Sequence, residues 1–454
     1  MNETKQIADY LSGLKYSDLS AHTVRMAKFC ILDWMGIAIR GSKEKSTTIL
    51  RNVVFQNHVD EATILGTNER AAAREAAFCN SAASHSLDFD DLHNPSIIHP
   101  ACVVVAPAFS MAEKLHSTGK ELITAVTAGY EASGRVGESV LPESYFFWHT
   151  TGTAGIFGGA AAVANLMKLD AKQTLMCFGS AGTQAAGLWE FLKEGTMSKI
   201  LHTGKSSYGA IISAELAKGG FTAASQIMEG EKGFCRAMVK EPHLEHLTEG
   251  LGNGKFKIDV NSFKPYACCK HSHAAIYATQ VLAKENNLTP ENVKKITLRV
   301  NDITNYLINN PDPQTAYGCK FSIQYCVAAM LKFGQVGIEQ FAPELMNSPE
   351  LRGIMAKIEV VFDKDVDAII KSDPSKLASI VVIETVDGKK FEKEVDYPKG
   401  DPDNAFTWDE AVAKFKGLSV PVYGEKVCDQ LVTLIDKLEE VEDFGKALGK
   451  ALKA

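Results

Sequence analysis

The sequence predicts a mainly α-helical fold, with a large all-helical domain and a smaller α+β domain. Apolar residues recur at every third or fourth position as far as about residue 255, which is typical of amphipathic helices. After a glycine-rich segment at 250–254, alternating and β-branched runs appear, which are typical of strands. The length of 454 residues is sufficient for two or three domains. The predicted boundaries are 1–255 together with 403–454 for the helical domain, and 256–402 for the α+β domain.

The small-residue segment 152–169 predicts a buried central helix of the first domain. Gly158 and Gly159, followed by three alanines, leave little side chain between this helix and a neighbour, which permits close backbone packing. The chain from Phe406 onward is again helical in period. Because these last helices cannot form a core alone, we expect them to pack on the N-terminal body.

In the smaller domain, strands and helices are predicted from period and residue type. Asp387-Gly388 is a strong hairpin signal between the last two predicted strands, since this dipeptide favours a tight turn. The mixture of strands and helices predicts an α+β domain. The predicted strands are 296–300, 357–363, 379–385 and 390–395, and the predicted helices are 273–286 and 320–333.

Charge, hydropathy and cysteine content disfavour several classes of protein. The 48 Lys and Arg residues are outnumbered by 55 Asp and Glu residues, and a net charge of −7 disfavours nucleic-acid binding. No window approaches the roughly 20 apolar residues that cross a bilayer, and the N-terminus has no signal-peptide pattern. The ten cysteines lack the spacing of a secreted disulfide framework. We therefore expect a cytoplasmic protein that binds neither nucleic acid nor membrane.

The segment 85–99 holds the highest density of ionisable side chains. Acids and imidazoles lie here directly before an apolar helix, where the helix N-terminus and a low dielectric favour proton transfer or anion binding. Helix capping and ion pairing are the structural alternatives. A divalent metal is a further alternative, but the spacing matches no zinc or iron motif, and we predict no metal. The ionisable residues are His85, Asp88, Asp90, Asp91, His93 and His99.

Two further candidates lie beside helix starts in the first domain. His149 precedes the glycine-rich helix, and Lys205 opens a predicted helix where an N-terminus also favours anions. A structural histidine and a solvated lysine are the alternatives. The segment HTGKSS at 202–207 does not complete a phosphate-binding loop, because position 199 is lysine where that loop requires glycine.

The start of the second domain is cationic. Lys264, Lys270, His271 and His273 lie within ten residues near the predicted domain boundary, where small-molecule pockets often form. A basic surface loop is the alternative. Tyr325 lies inside an apolar helix, where its phenol needs a partner and is either a site donor or part of the core.

Five blocks of the sequence resemble the MmgE/PrpD family in their order and spacing. This family includes 2-methylcitrate dehydratase, cis-aconitate decarboxylase and iminodisuccinate epimerase. The resemblance spans about residues 5–450, and it implies a large all-helical domain, a smaller α+β lid domain and a homodimer that requires no cofactor. The blocks lie at 85–113, 148–187, 197–223, 263–276 and 320–331.

The resemblance also implies roles for individual residues. Asp88, His99, His149 and Lys205 resemble the catalytic residues of the family, and Lys264, His273 and Tyr325 resemble residues of its substrate pocket. The chain departs from the aconitate-decarboxylating members at Leu92 and Cys269, where those members have threonine and histidine.

The residue inventory is consistent with this chemistry. Removal of a proton α to a carboxylate creates a dianionic enolate, which lysines and a protonated histidine could stabilise. We therefore expect a cofactor-independent lyase that acts on a small di- or tricarboxylate, by citrate-type dehydration or aconitate-type decarboxylation. An isomerase that epimerises an imino- or hydroxy-dicarboxylate, and a helical binding protein without activity, are the alternatives.

Overall fold

The structure is a computed structural model, and it describes residues 2–373 and 376–453. The chain forms two compact units. The first, which we call the helical unit, comprises the chain as far as Asn261 and again from Thr407. The second, which we call the α+β unit, comprises Ser262–Phe406. The predicted fold class, mainly α with a smaller α+β portion, is confirmed.

The helices and strands are numbered in chain order. The helices are α1 Glu3–Gly13, α2 Ala21–Gly41, α3 Lys45–Val54, α4 Ala73–His85, α5 Pro100–Lys114, α6 Gly119–Glu138, α7 Thr150–Thr153, α8 Gly155–Leu166, α9 Ala171–Gly182, α10 Phe191–Glu194, α11 Lys199–Lys218, α12 Phe234–Met238, α13 His273–Asn286, α14 Asp302–Ile308, α15 Ala316–Lys320, α16 Ile323–Phe333, α17 Pro343–Met346, α18 Pro349–Met355, α19 Lys364–Ser372, α20 Trp408–Asp436 and α21 Phe444–Ala451. The strands are β1 Ala62–Thr63, β2 Arg70–Ala71, β3 Val293–Val300, β4 Ile358–Phe362, β5 Ser379–Thr385 and β6 Lys390–Val395. Short 3₁₀ turns connect several of these elements.

Helix α8 lies at the centre of the helical unit, and each of its residues is buried. A Cβ atom added at Gly158 would lie 2.7 Å from the carbonyl oxygen of Gly129 in α6. A Cβ atom added at Gly129 would lie 2.8 Å from the carbonyl oxygen of Gly158. The two backbones therefore touch, and only glycine permits this approach. The small-residue segment does form the predicted central helix.

The C-terminal helix α20 returns to the helical unit and packs on α2. A Cβ atom added at Gly36 of α2 would lie 3.2 Å from the Cα atom of Phe415, which is fully buried. Thr407 and Glu410 form a capping box at the start of α20, and Gly424 interrupts the helix at a φ of +78°. The predicted packing of the tail on the N-terminal body is thus found.

The helical unit also contains a short antiparallel pair of strands, β1 and β2, which the prediction of an all-helical domain did not include. Each strand has two residues, so no run of alternating residues marks it in the sequence. The buried carboxylate of Glu113 accepts hydrogen bonds from the backbone and hydroxyl of Thr63, at 2.8 Å each. Side-chain contacts from α5 therefore hold this pair.

The sheet of the α+β unit has the order β4-β3-β5-β6 among the described residues. Strand β3 pairs in parallel with β4 and antiparallel with β5, and β5 pairs antiparallel with β6. The turn at Asp387-Gly388 joins β5 and β6 with Gly388 at a φ of +85°, as the dipeptide predicts. Helix α13 packs on β5 and β6. No helix in the described ranges combines the length and apolarity that crossing a bilayer requires.

Candidate active site

The loop between α4 and α5 carries the acidic residues of the segment 85–99. Asp88 has a φ of +56°, a left-handed conformation that residues with a Cβ atom rarely adopt. Its Oδ1 atom lies 2.9 Å from the Nζ atom of Lys199 at the start of α11. Both side chains are more than 90% buried. The ammonium group of Lys199 therefore pairs with the side chain of Asp88 in a site of low dielectric.

Asp90 is fully buried and lies between two imidazoles. Its Oδ2 atom lies 2.6 Å from Nδ1 of His85, and its Oδ1 atom lies 3.5 Å from Nδ1 of His99. Nδ1 of His99 also lies 2.6 Å from the carbonyl oxygen of Asp91. A carbonyl can only accept, so Nδ1 of His99 carries a proton, and whenever the ring is neutral its lone pair lies on Nε2. The arrangement orients His99 as a proton acceptor.

Asp91 holds the loop against the helices around it. Tyr130 donates to its Oδ2 atom at 2.6 Å, and Asn261 donates to the same atom at 2.8 Å. Its Oδ1 atom accepts from the backbone N–H of Ala101 at the start of α5, at 3.1 Å. Burial raises the pKa of Asp91 to about 7, although these donors act in the opposite direction. Asp91 is therefore a structural acid, as the capping alternative proposed.

Four imidazoles lie together beside this loop, and we call His85, His99, His149 and His202 the histidine cluster. The ring centroid of His85 lies 5.1 Å from that of His99 and 5.3 Å from that of His149, on which it stacks. The Nδ1 atoms of His149 and His202 are 3.2 Å apart. One of these two atoms must therefore carry a proton and the other a lone pair.

Threonines link the two predicted histidine segments. Thr150, directly after His149, donates from its hydroxyl to the carbonyl oxygen of Ile97 at 2.5 Å. The hydroxyl of Thr151 accepts from the backbone N–H of His99 at 3.1 Å. The pair of threonines that follows His149 in the sequence therefore fixes the position of His99.

Burial favours the neutral form of three members of the histidine cluster. It lowers the pKa of His85, and it lowers that of His149 well below its usual range, with the charge of neighbouring His85 acting in the same direction. It also lowers the pKa of His202 to about 4. Lys199 adds to all three effects because it places a positive charge nearby. Near neutral pH, these imidazoles can accept a proton or donate a hydrogen bond without first losing charge.

The lysine that contacts Asp88 is Lys199, which the sequence interpretation did not select. Lys205 lies six residues further along α11, where its ammonium group donates to the backbone carbonyl of Gln184. Partial burial lowers the pKa of Lys205. His202 was also missed. The signal for both residues was their spacing, because residues three apart on a helix share a face.

The cationic segment of the α+β unit is mostly buried, so it is not a basic surface loop. Lys264 is 2% exposed. The Nζ atom of Lys270 lies 2.6 Å from Oδ1 of Asp401. Burial lowers the pKa of Lys270, and the charge of Lys264 acts in the same direction. The ring of His273 packs edge-on against Tyr266, with 5.1 Å between centroids. We retain the substrate-binding roles of Lys264 and His273 as predictions.

Tyr325 is fully buried in α16, and its hydroxyl donates to the carbonyl oxygen of Gln340 at 2.6 Å. Burial raises its pKa, so the phenol stays protonated. This hydrogen bond is the partner that a buried phenol is expected to have. One lone pair of its oxygen can still accept, and its substrate-binding role remains a prediction.

Among the described residues, two groups of side chains could each supply three metal ligands. His243, Glu245 and His246 form an exposed group. In the buried group, ligand atoms of His85, Asp90 and His99 lie within 4.8 Å of one another. However, the Nδ1 atom of His85 already forms a hydrogen bond of 2.6 Å with the carboxylate of Asp90. We therefore interpret the buried group as a proton-transfer arrangement, and the prediction of no metal remains open.

Comparisons with known proteins show which family this chain is similar to. A model of the MmgE/PrpD N-terminal domain matches residues 5–247, and a model of the C-terminal domain matches residues 266–440. A cis-aconitate decarboxylase-like protein of Aspergillus oryzae is 25% identical, with 98% of this chain and 96% of the relative covered. The cis-aconitate decarboxylase of Mus musculus is 25% identical, with 97% and 91% covered.

A more distant relative has another activity. The mitochondrial 2-methylcitrate dehydratase of Yarrowia lipolytica is 23% identical, with 87% of this chain and 79% of the relative covered. Both named activities are lyase reactions. Since the two domain models together match most of the chain, the protein belongs to the MmgE/PrpD family.

Proposed function

We propose that this protein is a lyase that acts on a small di- or tricarboxylate without a cofactor. The observation that carries the proposal is the buried histidine cluster beside the Asp88–Lys199 pair. Neutral imidazoles supply a base and an acid, and the ammonium group supplies a fixed charge for a carboxylate or an enolate. The relatives act on substances of this class, as their names state.

Decarboxylation of a cis-aconitate-type substrate is the first candidate reaction. Relatives that carry this name align with nearly the whole chain. The bond between a carbon atom and its carboxylate breaks, carbon dioxide leaves, and the electron pair remains on the carbon as a delocalised carbanion. An imidazole of the cluster, once it has taken a proton from solvent, delivers that proton to the carbon, so the reaction consumes one proton overall.

Dehydration of a citrate-type substrate is the second candidate, and the Yarrowia lipolytica relative favours it. Here Nε2 of His99 takes the proton α to a carboxylate, and the electron pair forms the carbon–carbon double bond. The hydroxyl group leaves the neighbouring carbon as water with a proton from a second imidazole, for which we propose His149 once it has taken that proton from solvent. His99 then returns its proton to solvent. The carbonyl of Asp91, which accepts from Nδ1, orients His99 in both reactions, and Lys199 stabilises the negative charge that develops.

For the catalytic lysine, we propose Lys199 in place of Lys205, because Lys199 is the one that contacts Asp88. Lys264, His273 and Tyr325 are proposed to bind the carboxylates of the substrate. Their support is the resemblance of their sequence blocks and, for the first two, a cationic segment that carries more lysine and histidine than acid.

A homodimer and a cytoplasmic location complete the proposal. The family resemblance supports the dimer, and sedimentation measurements would test it. The cysteines in the described ranges are thiols, which fits a reducing compartment. The name of one relative includes a mitochondrial location, so imaging of the tagged protein in its cell is the decisive test.

Proton NMR in deuterated buffer tests the reaction. We expect the protein to convert cis-aconitate, citrate or 2-methylcitrate with loss of carbon dioxide or water. His99→Gln should lower kcat/KM about 100-fold, as the loss of a general acid or base does. His58→Gln, at an exposed histidine, is the matched control and should leave the rate unchanged.

Other outcomes would replace the proposal. Exchange of a substrate hydrogen for deuterium without net conversion would indicate an isomerase. Binding of a carboxylate without exchange or conversion would indicate a binding protein. An unchanged rate in His99→Gln would remove the histidine cluster from the mechanism.

A further inference from the structure

A buried lysine from the C-terminal helix reaches the acidic loop. Lys414 of α20 is 8% exposed, and its Nζ atom lies 2.7 Å from Oδ1 of Asp33 in α2, which is 3% exposed. The same ammonium group donates to the carbonyl oxygen of Phe89 at 2.9 Å. It also lies over the ring of Phe89, 4.0 Å from the centroid. One cation thus makes three contacts, two of them with the same loop residue.

Phe89 stands between the two acids of the candidate site. Asp88 on one side is held by Lys199 from α11, and Asp90 on the other side is held by His85 from α4. The carbonyl of Phe89 is therefore the point at which α20 holds the same stretch of backbone. Three consecutive residues are fixed by side chains from three different helices.

We propose that Lys414 is a positioning residue for the lyase reaction, because its bond to the Phe89 carbonyl fixes the backbone that presents Asp88 and Asp90. This inference rests on the proposed function. Lys414 acts through the loop and is not assigned a contact with substrate. Its pairing with Asp33 neutralises the charge that the buried lysine would otherwise carry alone.

A purely structural role for Lys414 is the competing explanation. If Lys414 serves only to neutralise Asp33, removal of both charges should restore the protein, since a buried ion pair can often be replaced by neutral groups without loss of stability. If Lys414 also holds the loop, removal of both charges should restore the stability of the protein but not its activity. The double variant Asp33→Asn/Lys414→Met therefore separates the two explanations.

The experiment compares Lys414→Met, the double variant and Lys416→Met with the wild type. Lys416 is the matched control, because it lies on the same helix and is also paired, with Asp429 at 2.5 Å, but is more exposed. Thermal unfolding and steady-state rates are measured with the substrate that the wild type converts. Lys416→Met should match the wild type in both measurements.

We expect the double variant to unfold near the wild-type temperature. Its kcat should nevertheless be roughly 10- to 100-fold lower, because small displacements of reacting groups have effects of this size. Its KM should change by less than about twofold, since Lys414 adds no substrate contact. A double variant with wild-type kcat would overturn the proposal, as would wild-type kcat in Lys414→Met. The double variant keeps the test decisive if Lys414→Met does not fold.

Failure of the proposed function is distinguishable from failure of this inference. If the wild type converts no carboxylate, the lyase proposal fails, and the histidine NMR signals then test the loop. The signal of His85, assigned with His85→Gln, should shift in the double variant because Asp90 moves. An unchanged His85 signal in that variant would overturn the positioning role without any substrate.

Discussion

Replacement of Lys199 by methionine tests the pairing at the centre of the candidate site. Methionine keeps most of the side-chain volume but removes the ammonium group that lies 2.9 Å from Asp88. Both side chains are more than 90% buried, so the carboxylate of Asp88 would remain without its cation in a poorly solvated site. Loss of one partner of a buried pair lowers the free energy of unfolding by about 3–5 kcal/mol.

The catalytic effect should be separate from the effect on stability. Removal of one fixed donor to a developing negative charge lowers kcat by roughly 100- to 1000-fold, which corresponds to about 2.7–4 kcal/mol. Lys205→Met is the matched control, because its ammonium group bonds to a backbone carbonyl instead of Asp88. We expect Lys205→Met to retain activity within about fivefold and to lose about 1 kcal/mol of stability.

The assay measures kcat and KM at 20 °C, and circular dichroism checks that both variants are folded at that temperature. Urea unfolding is measured in parallel. If Lys199→Met keeps wild-type activity while Lys205→Met loses 100-fold, the assignment of the lysine is reversed. Equal losses in the two variants would show that net charge matters and that the pairing with Asp88 does not.

Three other predictions follow from the same contacts. Tyr130→Phe should lower the free energy of unfolding in urea by about 1–3 kcal/mol, because Asp91 loses a buried donor. An unchanged free energy of unfolding would show that this hydrogen bond does not stabilise the fold. Burial lowers the pKa of His93 to about 3, so the unfolded chain binds more protons between pH 6.5 and pH 3, and stability should fall as pH is lowered through that window. His93→Gln should flatten the pH dependence of the unfolding temperature, and an equally steep profile would contradict the assignment. Prolonged treatment with a chelator should leave activity intact, because side chains supply the charges at the site; loss of activity that zinc or iron restores would refute this.

The sequence determined the elements that depend on local residue pattern. Strands β5 and β6 appear at 379–385 and 390–395 as predicted, because alternation and the Asp387-Gly388 turn are local signals. The glycines of α8 predicted a close-packed central helix, since the absence of a side chain sets how near another backbone can come. The density of acids and imidazoles at 85–99 likewise marked the loop of the candidate site before any contact was known.

Only the tertiary structure decided which of these groups meet. Asp88 and Lys199 are 111 residues apart, and His149 and His202 are 53 apart, so no sequence spacing connects them. The choice between Lys199 and Lys205 depends on how α11 is rotated. Six residues correspond to about 600° of helix, and the two lysines therefore project about 120° apart. Packing of α11 against the neighbouring helices turns Lys199 toward the acidic loop. The sequence of α11 alone does not determine that rotation.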